Sequence, residues 1–296
     1  ELIIIAYWFL SDATALVSKV DVSGNAITGN IDEYGRIGQL GKDQDTTGMT
    51  ALSKALPASG ITNLNISNCG LGPESITILA PAFSTAVLES MDISKNAIEV
   101  DGAKALVSML PGSSIKTLTF GPKSTKINLQ MNALEPEPEE EKPSAPTSVN
   151  FSKQELGPTE LIIIAYWLST DATAVLEEVD ISGNSIGSDG GTALVKVLPS
   201  SNIKILKIGK SFEISMEKFD GTTLDCSKQD FGPGEVIILA WWFTTKITAL
   251  LESLDVSENQ LIGLDENGDG TEDHAVWNSL CESLSKSAVK TFKAAN

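Results

Sequence analysis

The chain is poor in the residues that usually carry chemistry. Its 296 residues hold one histidine, His274, and three cysteines, Cys69, Cys226 and Cys281. An odd, low cysteine count does not suit a disulfide framework and favours a reducing, intracellular compartment. His274 stands at the expected start of the last helix, after an acidic loop. There a solvated helix-start residue is the plain reading and a histidine-based dyad the chemical one. Basic residues are scarce as well, 21 Lys and Arg against 39 Asp and Glu, for a formal charge of −18. Phosphate binding needs a basic face, so nucleic acid is excluded as the main partner. Basic protein surfaces and divalent cations are favoured instead. Long apolar runs are missing too: Leu2–Leu10 and Val236–Phe243 fall short of the roughly 20 residues that span a bilayer. No phosphate loop is found. Gly35–Lys42 (GRIGQLGK) is glycine-rich, but its spacing is wrong and no Ser or Thr follows the lysine.

What is present is repetition. LIIIAYW occurs at Leu2–Trp8 and again at Leu161–Trp167. A second motif recurs as VDVSGNAI (Val20–Ile27), MDISKNAI (Met91–Ile98), VDISGNSI (Val179–Ile186) and LDVSENQL (Leu254–Leu261). Aligned by hand, the copies give a three-part cycle. An apolar-Asp-apolar-Ser strand ends in Asn. A helix of the form GxxALxxxLP follows, as in Gly48–Pro57, Gly102–Pro111 and Gly191–Pro199, and leads to strands near Leu64, Leu118 and Leu206. A further strand then runs through Gly-Pro into a second helix, at Ser67–Pro73, Ser152–Pro158 and Ser227–Pro233. Proline suits the first helical position, where no backbone N–H is required. Strands twenty to thirty residues apart with helices between them must pair in parallel. Glu1 matches Glu160, which follows a Gly-Pro turn, so the sequence opens inside a repeat. A processed or partial product is expected, with any targeting information upstream.

The strand pattern, apolar-x-x-apolar-x-apolar-x-x-Asn/Cys-x-apolar, with Asn25, Cys69, Asn96, Asn184 and Asn259 at the turn, resembles the leucine-rich repeat. The helical linkers, and the spacing from Leu64 to Met91 to Leu118, make it similar to the ribonuclease-inhibitor-like subclass. The resemblance covers nearly the whole chain. It implies an α/β solenoid, a horseshoe with a parallel sheet on the concave face and helices on the convex face. It also implies binding by surface, with no catalytic residues or cofactor to carry over. One solenoid over residues 1–296 is expected, broken by loops at 28–47, 135–148 and 264–273. Lys126–Leu134 could pass for a further repeat strand; it is matched here to Phe212–Phe219 as an extra excursion.

Three features are candidates for function. The middle residue of each apolar-x-apolar strand points away from the core. In order these are Asp21, Asn65, Asp92, Thr119, Asn150, Asp180, Lys207, Asp225, Asp255 and Lys293. Five of the ten are Asp and two are Lys, which reads either as an acidic groove for a basic protein or as a hydrated face serving solubility. The second feature is the aromatic pairs Tyr7-Trp8, Tyr166-Trp167 and Trp241-Trp242. With Ile4, Ala6 and Phe9 as the inward positions of the first such helix, Tyr and Trp cannot both face the core. Trp8, Trp167 and Trp242 are therefore expected either to pack between helices or to dock the chain into a hetero-complex, including one at a membrane protein's flank. The third is Asp265–Asp273 (DENGDGTED). Asp265, Asn267, Asp269, Thr271 and Asp273 follow the ligand order of a calcium loop with Gly270 at the turn, though position twelve is Val276 and not Glu. A solvated turn is the alternative. The readings that stand are a non-enzymatic protein-binding scaffold with an acidic concave face, a fixed structural subunit docked through its Trp/Tyr helices, and a calcium-responsive binding module.

Overall fold

The computed structural model of the chain describes residues 2–10, 17–29, 31, 37, 41–130, 146–263 and 273–294. It divides into two compact units, Glu1–Ala133 with Thr170–Ala172, and Leu134–Ser169 with Thr173–Asn296. In the first, β1 (Lys19–Asp21), β2 (Asn63–Asn65), β3 (Ser90–Asp92) and β4 (Thr117–Phe120) pair in parallel and in register, and β5 (Thr125–Asn128) joins β4 antiparallel. The second holds two sheets. One orders β6 (Ser148–Asn150), β7 (Glu178–Asp180) and β8 (Ile205–Ile208) in parallel, with β9 (Phe212–Ser215) antiparallel to β8. The other is the parallel set β10 (Thr223–Asp225), β11 (Ser253–Asp255) and β12 (Thr291–Lys293).

The excursions at 126–134 and 212–219 thus correspond, as their alignment suggests: each begins with a strand that turns back on the one before it. The expectation of purely parallel sheets needs this correction, and the connection explains it. Parallel pairing requires a crossover of a dozen or more residues, whereas a few residues can only reverse the chain. Gly209 sits in the β8–β9 turn at φ +58°, and a Cβ there would lie 2.4 Å from the Phe231 ring. No other residue fits without displacing that ring.

The core follows from strand alternation. Leu64, Met91, Leu118, Val179, Leu206 and Leu254 are buried, and two residues on so are Ile66, Ile93, Phe120, Ile181, Ile208 and Val256. Among the described residues eight α-helices, α1 (Leu2–Phe9), α2 (Thr47–Ala55), α3 (Pro73–Leu79), α4 (Glu99–Met109), α5 (Pro158–Leu168), α6 (Gly187–Val197), α7 (Pro233–Phe243) and α8 (His274–Ser285), pack in chain order within each unit. Small residues set their approach. A Cβ on Gly191 of α6 would lie 2.5 Å from the Gly234 carbonyl oxygen of α7, so the two backbones meet directly.

The Gly-Pro helices are capped by carboxylates from two sources. In α5 and α7 the glutamate of the Gly-Pro-x-Glu turn reaches back: Gly157 N–H donates to Glu160 Oε2 at 2.8 Å, and Gly232 N–H to Glu235 Oε2 at 3.0 Å. In α3 that position is Ser75. Asp43, from the inserted segment after β1, supplies the carboxylate instead. It accepts from the backbone N–H groups of Gly72 at 2.9 Å, Glu74 at 2.8 Å and Ser75 at 3.2 Å, and from the Ser75 hydroxyl. The insertion is therefore part of the helix-capping scheme.

Glu235 is nearly fully enclosed, and that burial pushes its carboxyl up to about 7 against hydrogen bonds from its own N–H and that of Gly232, which favour the charge. A folded-state value above the unfolded one means that its contribution to stability is present in acid and is lost as pH rises from about 4.5 through 7. Glu235→Gln keeps an acceptor for Gly232. It is predicted to be about neutral at pH 4 and to stabilise at pH 8 by on the order of 1–3 kcal/mol. Urea titrations of both proteins at the two pH values check this.

Candidate functional site

The solvent faces of the sheets carry the row read from the sequence. Asp21, Asn65, Asp92 and Thr119 are paired neighbours across β1–β4. Asn150, Asp180 and Lys207 are neighbours across β6–β8, and Asp225, Asp255 and Lys293 across β10–β12. The reversed strands add residues that the sequence reading missed: Lys126 pairs with Thr119, and Glu213 with Lys207. Alternating burial was the signal that could have found them.

Each aspartate in this row has a local task. Its Oδ1 accepts from the N–H of the serine two residues on: Ser23, Ser94, Ser182, Ser227 and Ser257 donate to Asp21, Asp92, Asp180, Asp225 and Asp255, all at 2.9 Å. Asn65 and Asn150 do the same for Ser67 and Ser152. These are Asx-turns that close the strand. The Ser23 hydroxyl and N–H hold the Asp21 carboxyl below the usual carboxylate range, and those of Ser227 do so for Asp225. At Asp255 the Lys293 ammonium, 2.8 Å away, is the larger cause and Ser257 the next, and its carboxyl falls to about 2.

The charge of the row differs between sheets. In the first unit Asp21 and Asp92 are set against Lys19 and Lys126, and Asn65 donates to Asp21 at 3.0 Å. In the second, Lys207 lies 2.6 Å from Glu178 and 3.4 Å from Glu213, with Asp180 its in-register neighbour. Lys293 pairs with Asp255 at 2.8 Å and also favours the charged form of Asp225, one strand further away. The acidic excess lies on the second unit.

Trp167 and Trp242 are not on the outer surface. Trp167 is 9% exposed and packs edge-on against Phe151 at 5.7 Å. Trp242 is 1% exposed, donates from Nε1 to the Ser215 carbonyl at 2.9 Å, and packs edge-on against Phe219 at 5.6 Å. The excursion that begins with β9 covers it, which is why a helix apolar on all sides needs no outside partner there. This removes both as docking anchors. Trp8 is 50% exposed. The inward positions of α1 also need correcting: Leu2, Ala6 and Phe9 are buried, and Ile4 is exposed.

Of the calcium-loop candidates, Asp265, Asn267, Asp269 and Thr271 lie outside the described residues. Asp273 is the N-cap of α8. Its Oδ1 accepts from Val276 N–H at 3.1 Å and its Oδ2 from the Ser188 hydroxyl at 2.6 Å. Among the described residues no group of three His, Cys, Asp or Glu is placed to hold a metal ion. Cys69 and Cys226 are buried, and burial pushes the thiol of Cys69 up to about 11 and that of Cys226 higher, which makes them poor nucleophiles. A largely apolar groove of about 290 Å³ between α1 and α2 is lined by Ile3, Tyr7, Leu10, Ala51 and Lys54 among others. No described helix is long and apolar enough to cross a membrane.

Two stretches, residues 86–107 and 174–195, match the family model described as Leucine Rich repeat. They are equivalent in the fold, each running through an Asp-bearing strand, β3 or β7, into the helix after it. In those two stretches the chain is similar to leucine-rich repeats. Among the curated proteins compared with the chain, none matches.

Asp255 and Lys293 give a direct check on the electrostatics of the row. Lys293→Ala is predicted to move the Asp255 titration up from about 2 towards 3.8, with Asp225 following in the same direction. Carboxyl-carbon NMR titration reads both shifts.

Proposed function

We propose that the chain is a non-enzymatic protein-binding scaffold and that the solvent faces of its sheets are the binding surface. Leucine-rich repeats generally mediate protein–protein interaction, and the similarity of two stretches of the chain to them supports this reading. The observation that carries the reading is the unbroken register of polar residues, half-buried to exposed, across the parallel strands of each sheet. It gives side chains of adjacent repeats a spacing of about 4.8 Å. An extended partner could follow such a row, taking one contact per repeat.

The partner we propose is a protein with a basic surface, recognised by Glu178, Asp180, Glu213, Asp225 and Asp255 of the second unit. Those carboxylates outnumber the lysines, Lys207 and Lys293, set among them. The Asx-turns support the reading, because they fix the carboxylates of Asp180, Asp225 and Asp255 before a partner arrives and so reduce the ordering cost of binding. We further propose the ribonuclease-inhibitor-like, helix-lined horseshoe as the form of the repeats. In its favour, a helix lies in every described connection between paired parallel strands.

Calorimetry with a lysine-rich peptide tests the acidic face. Binding is expected to weaken about tenfold or more between 50 and 300 mM salt. Asp180→Asn with Asp225→Asn is expected to reduce it further, since asparagine keeps the Asx-turn and removes the charge. Equal affinity for the native and doubly substituted proteins would refute an acidic recognition face.

A further inference from the structure

Two lysines sit in the polar rows of the second unit at equivalent places. Asn150, Asp180 and Lys207 stand side by side across β6–β8, and Asp225, Asp255 and Lys293 across β10–β12. In both sets the second strand carries an aspartate and the third a lysine. The corresponding triplet of the first unit is Asn65, Asp92 and Thr119. A threonine fills the third place there, so the fold of the strand does not itself require a lysine.

Each lysine is seated on carboxylates of the row. The Lys207 ammonium lies 2.6 Å from Glu178 and 3.4 Å from Glu213, with Asp180 its neighbour in register. The Lys293 ammonium lies 2.8 Å from Asp255 and favours the charged form of Asp225 one strand further away. Both ammoniums are held above the ordinary lysine range, Lys207 first by its hydrogen bond to Glu178 and Lys293 first by its hydrogen bond to Asp255. These are the contacts that an ammonium group from another protein would make. They are also readily exchanged, because the Lys293 side chain is 62% exposed and ion pairs open to water contribute little to stability. Such a pair holds its place without locking it.

We propose that Lys207 and Lys293 are built-in competitors: each occupies the place of a cationic side chain of the partner, and the partner binds by displacing it. The inference rests on the acidic-face reading and names how that face is regulated. With both lysines seated, the carboxylates of Glu178, Asp180 and Glu213 are offset by one ammonium, and those of Asp225 and Asp255 by another. Neutralising the two lysines leaves every one of these carboxylates for the partner, so it raises affinity without adding a contact.

The test measures binding of a lysine-rich peptide to the native protein, to the Lys207→Gln, Lys293→Gln variant and to a control, Lys196→Gln with Lys246→Gln. The control removes the same charge from exposed lysines of α6 and of the turn after α7, off the strands. Calorimetry is run at about 150 mM salt, where exposed charges more than about 8 Å apart are largely screened. Neutralising the seated pair is expected to tighten binding about fivefold or more, and neutralising the control pair by less than about twofold. Adding Asp225→Asn and Asp255→Asn to the first variant is expected to reverse most of its gain. In the native protein, side-chain nitrogen NMR is expected to show the Lys207 and Lys293 signals moving towards those of free lysine as peptide is added, a readout that needs no variant to fold. Equal tightening by both lysine pairs would reduce the effect to net charge and overturn the inference, as would lysine signals that stay in place while the peptide binds. Native affinity in the Lys207→Gln, Lys293→Gln variant would overturn it too, and would leave the acidic face standing. Should none of the proteins bind the peptide, the acidic face and this inference fall together.

Discussion

One side-chain amide per cycle holds neighbouring turns of this chain together. Asn184 donates from Nδ2 to the Phe151 carbonyl of the preceding strand and to the Ile181 carbonyl of its own, both at 2.9 Å, and its Oδ1 accepts from the N–H groups of Gln154 and Leu156, both at 3.0 Å. Asn259 repeats this with Cys226, Val256, Gln229 and Phe231. Asn96 repeats it with Ile66, Ile93, Cys69 and Leu71. Where a strand leaves the sheet its backbone groups lose their ladder partners in a half-buried place, and leaving them unmet costs about 1–3 kcal/mol each. A primary amide has two donors and a two-lone-pair acceptor, which is enough to serve both chains at once. Cys69, at the same position, reaches only carbonyls, those of Val22 and Ser67.

The clamp fixes the turn, and the turn fixes the row. Because the strand must end at a set place, the residue before the last apolar position faces solvent and the serine after it offers an N–H. Asp or Asn there closes an Asx-turn. This accounts for the recurrence of Asp-x-Ser without any partner. The same constraint suits the row to the proposed partner, since its polar side chains are held in register across β6–β8 and across β10–β12. Structural need and the proposed binding surface coincide in these residues, and the difference between sheets lies in how many lysines enter the row.

Much of this was legible in the sequence. The period, the strand positions, the turn asparagines and the in-register row all follow from side-chain alternation and from the Asn at a fixed offset. The tryptophans were harder. Whether Trp242 is core or surface depends on the segment 212–219, whose reversal is a matter of turn length rather than of repeat pattern. Ile4 was misjudged for a related reason: the helix is apolar on every side, so periodicity cannot rank its faces. Asp43 was beyond reach, because its partners lie some thirty residues away and the only sign was a missing glutamate at Ser75. The expected acidic row was read as one feature; Lys126 and Glu213 changed its balance through strands that a parallel-only reading does not contain.

The central claim is that the turn asparagine couples adjacent repeats. Asn184→Ala, followed by hydrogen exchange at the Gln154 and Leu156 amides, tests it most directly. The account predicts faster exchange at those two amides, together with a loss of global stability of about 2–4 kcal/mol. Unchanged protection at both amides with native stability would contradict it.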